Sequence, residues 1–433
     1  MPPSQRMNGY PVVSVPDPHP PLPPIIPMHQ CICVRCGNFI PLGIKEPSHD
    51  AIYPRTRPKL HPMAGLYVHV PFCAQACSYC DFHFTTKLSD RRPMVDAIVA
   101  ELETALRHWE DETFHTLYFG GGTPSILGPH AIDRIARVAF DRSNWSLDEW
   151  TLEANPEDLE IADLEAYLKM GINRLSIGAQ SFDAEVLRWM RRVHGIDRAE
   201  NAVRHAAEAG FSHISLDLMY GLPVGGDGRW ERDLGKACAL PVDHLSCYIL
   251  TAEKQTLYGH QLETGTMVEP PEEQVLSEYA ALCRATREAG FEHYEVSNFA
   301  RTGGRSQHNS AYWNGIPYLG VGPGAHSFKA DRRWWNMRSN AGYMRHAKTG
   351  KWEGQQEFEQ LGATAQFNEA LITGLRRQEG VDPVSLEERT GLTLGTAVNT
   401  AIQSGDCEWI DGRLRIPESR WPMGDAITLG LMR

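Results

Sequence analysis

Cys73, Cys77 and Cys80 stand in the run Leu66-Tyr-Val-His-Val-Pro-Phe-Cys-Ala-Gln-Ala-Cys-Ser-Tyr-Cys-Asp-Phe82, spaced by three and then two residues just after a short apolar stretch. Thiolates this close in sequence share one tight loop. They can hold three corners of a four-iron cluster there and leave the fourth iron open to a ligand. Zinc is the rival cation, but structural zinc closes a tetrahedral shell with four ligands, usually two paired units, and no second pair follows. Iron–sulfur ligation is therefore the expected chemistry. Three unliganded buried thiols are the bland alternative, although cysteines grouped this way in a reducing compartment generally serve redox or metal chemistry.

The elements that must carry such a loop alternate along the chain. Leu66 to Val70, Thr116 to Phe119, Glu149 to Ala154, Arg174 to Ala179, His213 to Met219 and His244 to Leu250 read as short strands. Helical spacing fills the gaps at Pro93 to Trp109, Pro129 to Phe140, Pro156 to Met170, Asp183 to Arg191, Asp197 to Ala209 and Trp230 to Ala239. Strands alternating with helices imply a parallel sheet with right-handed crossovers. Six such units predict an α/β fold, an incomplete (β/α)6 barrel, because a closed eightfold barrel needs two more.

Chemistry in parallel barrels gathers at the C-terminal ends of strands. Gly120, Gly121 and Gly122 follow the second strand, where absent side chains let a ligand reach bare amides; a tight turn would use the same residues. Glu153, Asn155 and Pro156 follow the third strand, Gln180 and Ser181 follow the fourth, and Asp217 lies in the fifth. Arg192 and His194 come after the next helix. Buried polar groups at these places need partners. A zwitterionic cofactor with a ribose supplies many, as an internal hydrogen bond or salt bridge would for any one of them.

Several ordered motifs resemble one family: Tyr67-Val-His-Val-Pro-Phe-Cys73, Gly120-Gly-Gly-Thr-Pro-Ser125, Glu153-Ala-Asn-Pro156, Asn173-Arg-Leu-Ser-Ile-Gly-Ala-Gln-Ser-Phe182, Arg192-Val-His194, Asp217-Leu-Met-Tyr-Gly-Leu-Pro223, Tyr294-Glu-Val-Ser-Asn-Phe-Ala300 and Gly322-Pro-Gly-Ala-His326. They are similar to the coproporphyrinogen III oxidase-like family of radical S-adenosylmethionine (SAM) proteins, from Met63 essentially to the C-terminus. The resemblance implies that Cys73, Cys77 and Cys80 bind a 4Fe-4S cluster, that SAM chelates the fourth iron, and that an electron from the cluster cleaves SAM to a deoxyadenosyl radical. By position it implies SAM contacts from Tyr67, Tyr79, Gly121, Gly122, Thr123, Glu153, Gln180, Arg192 and Asp217. One departure follows Gly221-Leu-Pro223, where the family continues with a Gly-Gln-Thr-like turn and this chain has Val-Gly-Gly-Asp-Gly-Arg229.

Two branches of that family differ in function. One is the oxygen-independent coproporphyrinogen III dehydrogenase, which oxidatively decarboxylates two propionates with SAM radicals. The other, HemW, is a heme chaperone that binds heme and hands it to a target protein. The dehydrogenase branch usually carries a further cysteine two positions past the third, where this chain has Phe82, and its longer N-terminal region does not resemble the extension here. His308-Asn-Ser-Ala-Tyr-Trp313 matches the chaperone branch's His-Asn-x-x-Tyr-Trp motif, associated there with heme. A histidine can ligate heme iron, and Tyr312 and Trp313 offer flat apolar faces to a porphyrin. A packed aromatic corner around a hydrogen-bonded histidine would use the same residues. The iron ligand stays open, with His326 and the other histidines as candidates. A heme chaperone carrying a 4Fe-4S cluster and SAM is the expected function, with heme, a heme-acceptor protein and an electron donor as partners. The dehydrogenase is the alternative, and turnover of SAM is left open. An exposed aromatic heme surface would also permit a homodimer.

The chain's 433 residues suffice for a barrel and a smaller domain. No run of eighteen apolar residues exists, so no membrane span is expected. A net charge of -12 argues against non-specific nucleic-acid binding, which calls for a basic face. Ten cysteines without a secretory leader fit a reducing cytoplasm. Residues 1–62 differ from the rest, holding 15 of the 29 prolines and 6 Lys+Arg against 3 Asp+Glu. A run such as Pro16-Asp-Pro-His-Pro-Pro-Leu-Pro-Pro24 excludes helix and central strand, so this extension is expected to be disordered or polyproline-like. Its His29, Cys31, Cys33 and Cys36 are poorly spaced for zinc. Met63 opens the first motif, so translation is expected to start there, with the extension an artefact of start-site assignment. The barrel and a family-specific segment are assigned to 63–361. From Gly362 a small α-rich, winged-helix-like cap is expected over 362–433: helices at Thr364 to Arg377, Pro383 to Thr390 and Thr393 to Ser404, then a hairpin at Glu408 to Ile416 with an Asp-Gly turn. Basic residues are not concentrated there, which favours a cap over a DNA reader.

Overall fold

Near-continuous apolar runs form six strands: β1 (Met63–Val70), β2 (Thr113–Gly121), β3 (Asn144–Ala154), β4 (Arg174–Gln180), β5 (His213–Tyr220) and β6 (His244–Ile249). Each pairs in parallel with the next. Both faces are covered, as parallel sheets require, so Leu66, Val68 and Val70 on one side of β1 are fully buried beside Leu117, Phe119 and Leu152. Helices Arg91–Ala105, Pro129–Arg142, Ile161–Met170, Ile196–Ala209 and Arg229–Ala239 supply the crossovers. The result is the incomplete (β/α)6 barrel that the periodicity predicts. The computed structural model describes residues 63–352 and 354–433, so the proline-rich extension, with Cys31, Cys33, Cys36 and the start-site expectation, lies outside the described residues.

Some boundaries differ from the sequence reading for local reasons. The helix expected from Pro156 is split, because Leu159 and Glu160 leave helical angles (ψ 77° and 156°) between a 3₁₀ turn at Pro156–Asp158 and the helix Ile161–Met170. In the unfamiliar loop after Pro223, Gly225, Gly226 and Gly228 all take positive φ, and Arg229 folds inward to Asp233 at 3.2 Å. The segment between β6 and Gly362, to which the periodicity assigns no elements, extends the sheet at both edges. β7 (Glu292–Glu295) and β8 (Asn298–Ala300) form a hairpin antiparallel to β6. On the other side β9 (Tyr318–Val321) runs parallel to β1, followed outward by antiparallel β10 (His326–Lys329), β11 (Arg332–Asn336) and β12 (Gln356–Gln360).

Two buried carboxylates brace this return of the chain toward β1. Glu149 in β3 accepts Arg174 Nε at 2.7 Å, with both side chains only 2% exposed. Arg174 also donates to the carbonyls of Gly304 and Arg305, while Glu149 accepts the backbone N–H groups of Gln307 and His308 at 3.0 and 2.9 Å. The helix Gln307–Trp313 thus starts on an anion, which suits its N-terminal dipole. Glu101, on the first crossover helix, accepts from Gly322 N (2.8 Å), Asn336 Nδ2 (2.7 Å) and the Tyr343 hydroxyl, and so fixes the turn between β9 and β10.

The C-terminal helices Ala363–Leu375, Pro383–Thr390 and Ala397–Gln403 lead to a hairpin of β13 (Glu408–Ile410) and β14 (Arg413–Arg415). Asp411 and Gly412 take φ of 50° and 73°, the left-handed pair that an Asp-Gly hairpin turn uses. Phe367, Leu371, Leu414 and Trp421 join the same apolar core as the barrel. Glu418 ties this part to the barrel by accepting the Tyr279 hydroxyl on its carbonyl and His293 Nδ1 on its carboxylate, each at 2.9 Å. Among the described residues no helix is long and apolar enough to cross a membrane.

Two measurements test the braces. Glu149→Ala strands a buried guanidinium, so urea denaturation is expected to show a loss of about 3–5 kcal/mol. Burial raises the Glu101 carboxyl from 4.5 to about 7. A carboxyl raised in the folded state lends stability below its unfolded pKa, and that stability is lost as pH climbs through the folded value. The Glu101 contribution is therefore expected to be lost between about pH 4.5 and 7, and Glu101→Gln to remove that part of the pH dependence in urea denaturation, by about 3 kcal/mol at most.

Candidate functional site

The cysteine loop leaves the C-terminal end of β1 and is pinned at several points. Cys73 N donates to Thr85 O (3.1 Å), Thr85 N to Pro71 O (2.8 Å), Ser78 N to Met190 O (3.2 Å), and Tyr258 N to Ser78 O (2.8 Å). All three thiols are free and partly exposed. Burial pushes Cys73 up to about 11 and Cys80 up to about 12, so these two hold their protons at neutral pH until a metal displaces them. Thr123 Oγ1 donates to Cys73 Sγ and Arg192 Nη1 to Cys77 Sγ, each at 3.7 Å. Tyr79 lies beside Cys77 and Arg192 and packs on the apolar cluster of Val186, Met190 and Leu222.

The glycine run at the end of β2 lies directly on this loop. Gly122 N donates to Val70 O at 2.9 Å, and a Cβ on Gly122 would come within 2.5 Å of Phe72 O. No residue but glycine fits there without moving backbone. Gly121 N donates to Glu153 Oε2 (3.0 Å), and Tyr118 donates to Glu153 Oε1 (2.7 Å). Burial, with the Asp217 charge adding to it, raises Glu153 to about 7; burial raises Asp217 to about 6 although Ser176 donates to it at 3.1 Å. Tyr67 touches the same ground, with its hydroxyl 3.2 Å from His69 Nδ1 and its own pKa raised well above normal by burial and then Glu153. Gln180 ends β4 at φ 68°, beside a register shift against β5. Such a bulge re-aims the side chain at the cost of strain on the order of 1 kcal/mol.

Arg192 Nη2 donates to Asn155 Oδ1 and Gly178 O, both at 2.6 Å, and Asn155 Nδ2 donates to Thr123 Oγ1 at 3.2 Å. Cys73, Thr123, Asn155, Arg192 and Cys77 therefore form one hydrogen-bonded chain from thiol to thiol. Asn155 stands among the polar strand-end residues of the sequence but outside the set assigned to SAM. The structure makes it the hub. Its signal was its place in Glu153-Ala-Asn-Pro156, one residue beyond the end of β3.

His308 sits apart from the thiols, inside the barrel. Nδ1 is 2.7 Å from Thr116 Oγ1 and Nε2 is 2.8 Å from the Tyr312 hydroxyl, so both ring nitrogens are taken. The ring stacks on Tyr118 at 4.9 Å, and burial lowers its pKa to about 3. Tyr312 is buried and meets Tyr318 edge-on at 4.3 Å. Trp313 is half-buried, with Nε1 enclosed and unpartnered and the Arg376 guanidinium 5.9 Å from its ring centre. Both His308 ring nitrogens are thus bonded and Tyr312 is covered, so the two pack together in the interior.

The radical SAM superfamily profile matches residues 67–236. A curated Mycobacterium tuberculosis protein named heme chaperone HemW is 36% identical over 334 residues, covering 75% of this chain and 85% of its own length. The chain belongs to the HemW family of radical SAM proteins. The Bacillus subtilis heme chaperone HemW is 32% identical over 77% of this chain and 88% of its own. A zebrafish relative, radical S-adenosyl methionine domain-containing protein 1, mitochondrial, is 35% identical over 73% of this chain and 74% of its own. The coproporphyrinogen III oxidase HemN from Escherichia coli shares the fold, with a TM-score of 0.74 at 21% identity over 86% of this chain and 90% of that one. Membership of the radical SAM superfamily implies a 4Fe-4S cluster and SAM. The residues here fit both groups: three free thiols on one pinned loop with donors at two of them, and a glycine run beside the carboxylates of Glu153 and Asp217.

Gly122→Ala is expected to at least halve the iron and sulfide content of anaerobically reconstituted protein, because the new Cβ collides with the cysteine loop's backbone. Gly235→Ala, whose Cβ meets nothing within 4 Å, is expected to match wild type in the same iron and sulfide assay.

Proposed function

We propose that this chain binds heme and passes it to an acceptor protein, as its relatives' names describe for them, while carrying a 4Fe-4S cluster on Cys73, Cys77 and Cys80 and SAM at the adjoining strand ends. The observation that carries the reading is a HemW relative 36% identical across 85% of its own length. Phe82, at the position where the dehydrogenase branch usually has another cysteine, points the same way. The fold shared with the Escherichia coli oxidase is common to both branches and favours neither.

In this reading the cluster, when bound, supplies one-electron reducing chemistry toward SAM. The chain's own residues do the positioning. Thr123 and Arg192 donate to thiolate sulfurs, which strengthens the charged form that a metal needs. Gly121 and Gly122 let the second strand end close against the cysteine loop, where an amino acid head group would sit, and Glu153, Asp217 and Gln180 offer acceptors for amino or ribose protons. Tyr67 and Tyr79 flank the site. His308, Tyr312 and Trp313 supply one wall of the heme site, with His308 fixing the Tyr312 hydroxyl. An electron donor and a heme acceptor complete the set of partners, and the cysteine usage supports a cytoplasmic setting.

Anaerobic reconstitution, heme titration and a coproporphyrinogen III assay on one sample test this. About one heme per chain with no decarboxylation is the expected result. Decarboxylation without heme binding would assign the chain to the dehydrogenase branch. Bound zinc without iron–sulfur absorption would make the loop a structural zinc site.

A further inference from the structure

Five histidines are buried among the described residues: His69, His194, His244, His308 and His326. Four have both ring nitrogens bonded. His69 meets Tyr67 and the His83 carbonyl, His194 meets Glu157 and the Ala179 carbonyl, His244 meets Ser215 and Tyr294, and His308 meets Thr116 and Tyr312. His326 is the exception. Its Nδ1 is enclosed without a partner, and among the described residues no side-chain hydrogen bond involves its Nε2. Among the buried histidines described, this imidazole alone is left free to take a ligand.

The surroundings of His326 suit a porphyrin. Its ring stacks on Trp335, its cross-strand neighbour on β11, at 5.6 Å and 22°. Phe328 lies two residues along β10 and therefore on the same face of the sheet. Phe328 pairs with Tyr318 on β9, and Tyr318 touches Tyr312 of the His308 helix. One aromatic wall thus runs from His308 through Tyr312, Tyr318 and Phe328 to His326 and Trp335. Exposed Arg338 brings positive charge suited to a propionate, while Arg333, on the face of Trp335, is buried and paired with Glu369. A side chain on Gly324 would lie 3.3 Å from Arg338 and 3.6 Å from His83, which places this edge beside the segment that follows the cysteines. Burial, then Arg333, Arg338 and His69, lowers His326 to about 4, so the ring is neutral at pH 7 with a lone pair to offer.

We infer that His326, through Nε2, is the heme iron ligand, and that His308 is a positioning residue for the aromatic wall. This rests on the heme reading above. The test is heme titration of the anaerobically reconstituted full chain, followed by Soret position and electron paramagnetic resonance of the ferric complex, for wild type, His326→Ala, His326→Gln and His308→Gln. The His326 variants are expected to bind heme about tenfold or more weakly and to lose the wild-type ligand signature, with added imidazole restoring it to His326→Ala. His308→Gln, which loosens the Tyr312 side of the wall, is expected to weaken heme binding while keeping the wild-type iron-ligand signature. Iron and sulfide content at wild-type level shows that the variants fold. Heme bound by wild type with the signature intact in His326→Ala or His326→Gln, or lost only in His308→Gln, would overturn the assignment. A wild-type protein that binds no heme would instead overturn the heme reading itself.

Discussion

A single buried carboxylate decides how the two ends of this barrel meet. Glu149 neutralises Arg174 and also receives the first amides of the helix Gln307–Trp313, so one anion serves a cation and a helix terminus where water is excluded. Replacing such a pair by apolar residues need not cost stability, whereas removing one member does. The pair's contribution is specificity. It fixes where the chain returns after β8, and β9 then falls beside β1, bringing the Gly322 to His326 turn against the strand that feeds the cysteine loop.

The cofactor ground is built from groups that are uncomfortable by themselves. Buried Glu153 and Asp217 hold protons more tightly than free carboxylates, and Cys73 and Cys80 resist ionisation. Arg192 is the buried cation among them, shared between Cys77, Asn155 and the Gly178 carbonyl. Iron and a sulfonium cofactor would bring the positive charge that this set lacks. Binding and local order are therefore linked: the occupied site stabilises the loop that makes it.

The parallel strands were legible because each carries an apolar run of several residues between helices of clear period. β7 to β12 were not, since strands of three to five residues show too little alternation to separate from loop. The cysteines, the glycine run and the strand-end acids could be read from type and place alone. Asn155 acquires its role only through three partners distant in sequence, which no local pattern encodes. The His308 motif shows the opposite limit. Residue types that suit a porphyrin also suit a core, and only the occupied ring nitrogens distinguish the two uses, while the vacant ones on His326 could not be seen from sequence.

The outermost strand has a bearing on assembly. β12 reads Gln-Glu-Phe-Glu-Gln and is largely exposed, with Phe358 65% open beneath Arg332. An open strand edge invites a second chain to add on. Antiparallel addition of another copy centred on Phe358 would set Glu357 of each chain opposite Glu359 of the other. Like charges facing across a ladder repel. This edge therefore protects the protein against sheet-to-sheet polymerisation, and a dimer bridged by heme would have to form through another surface.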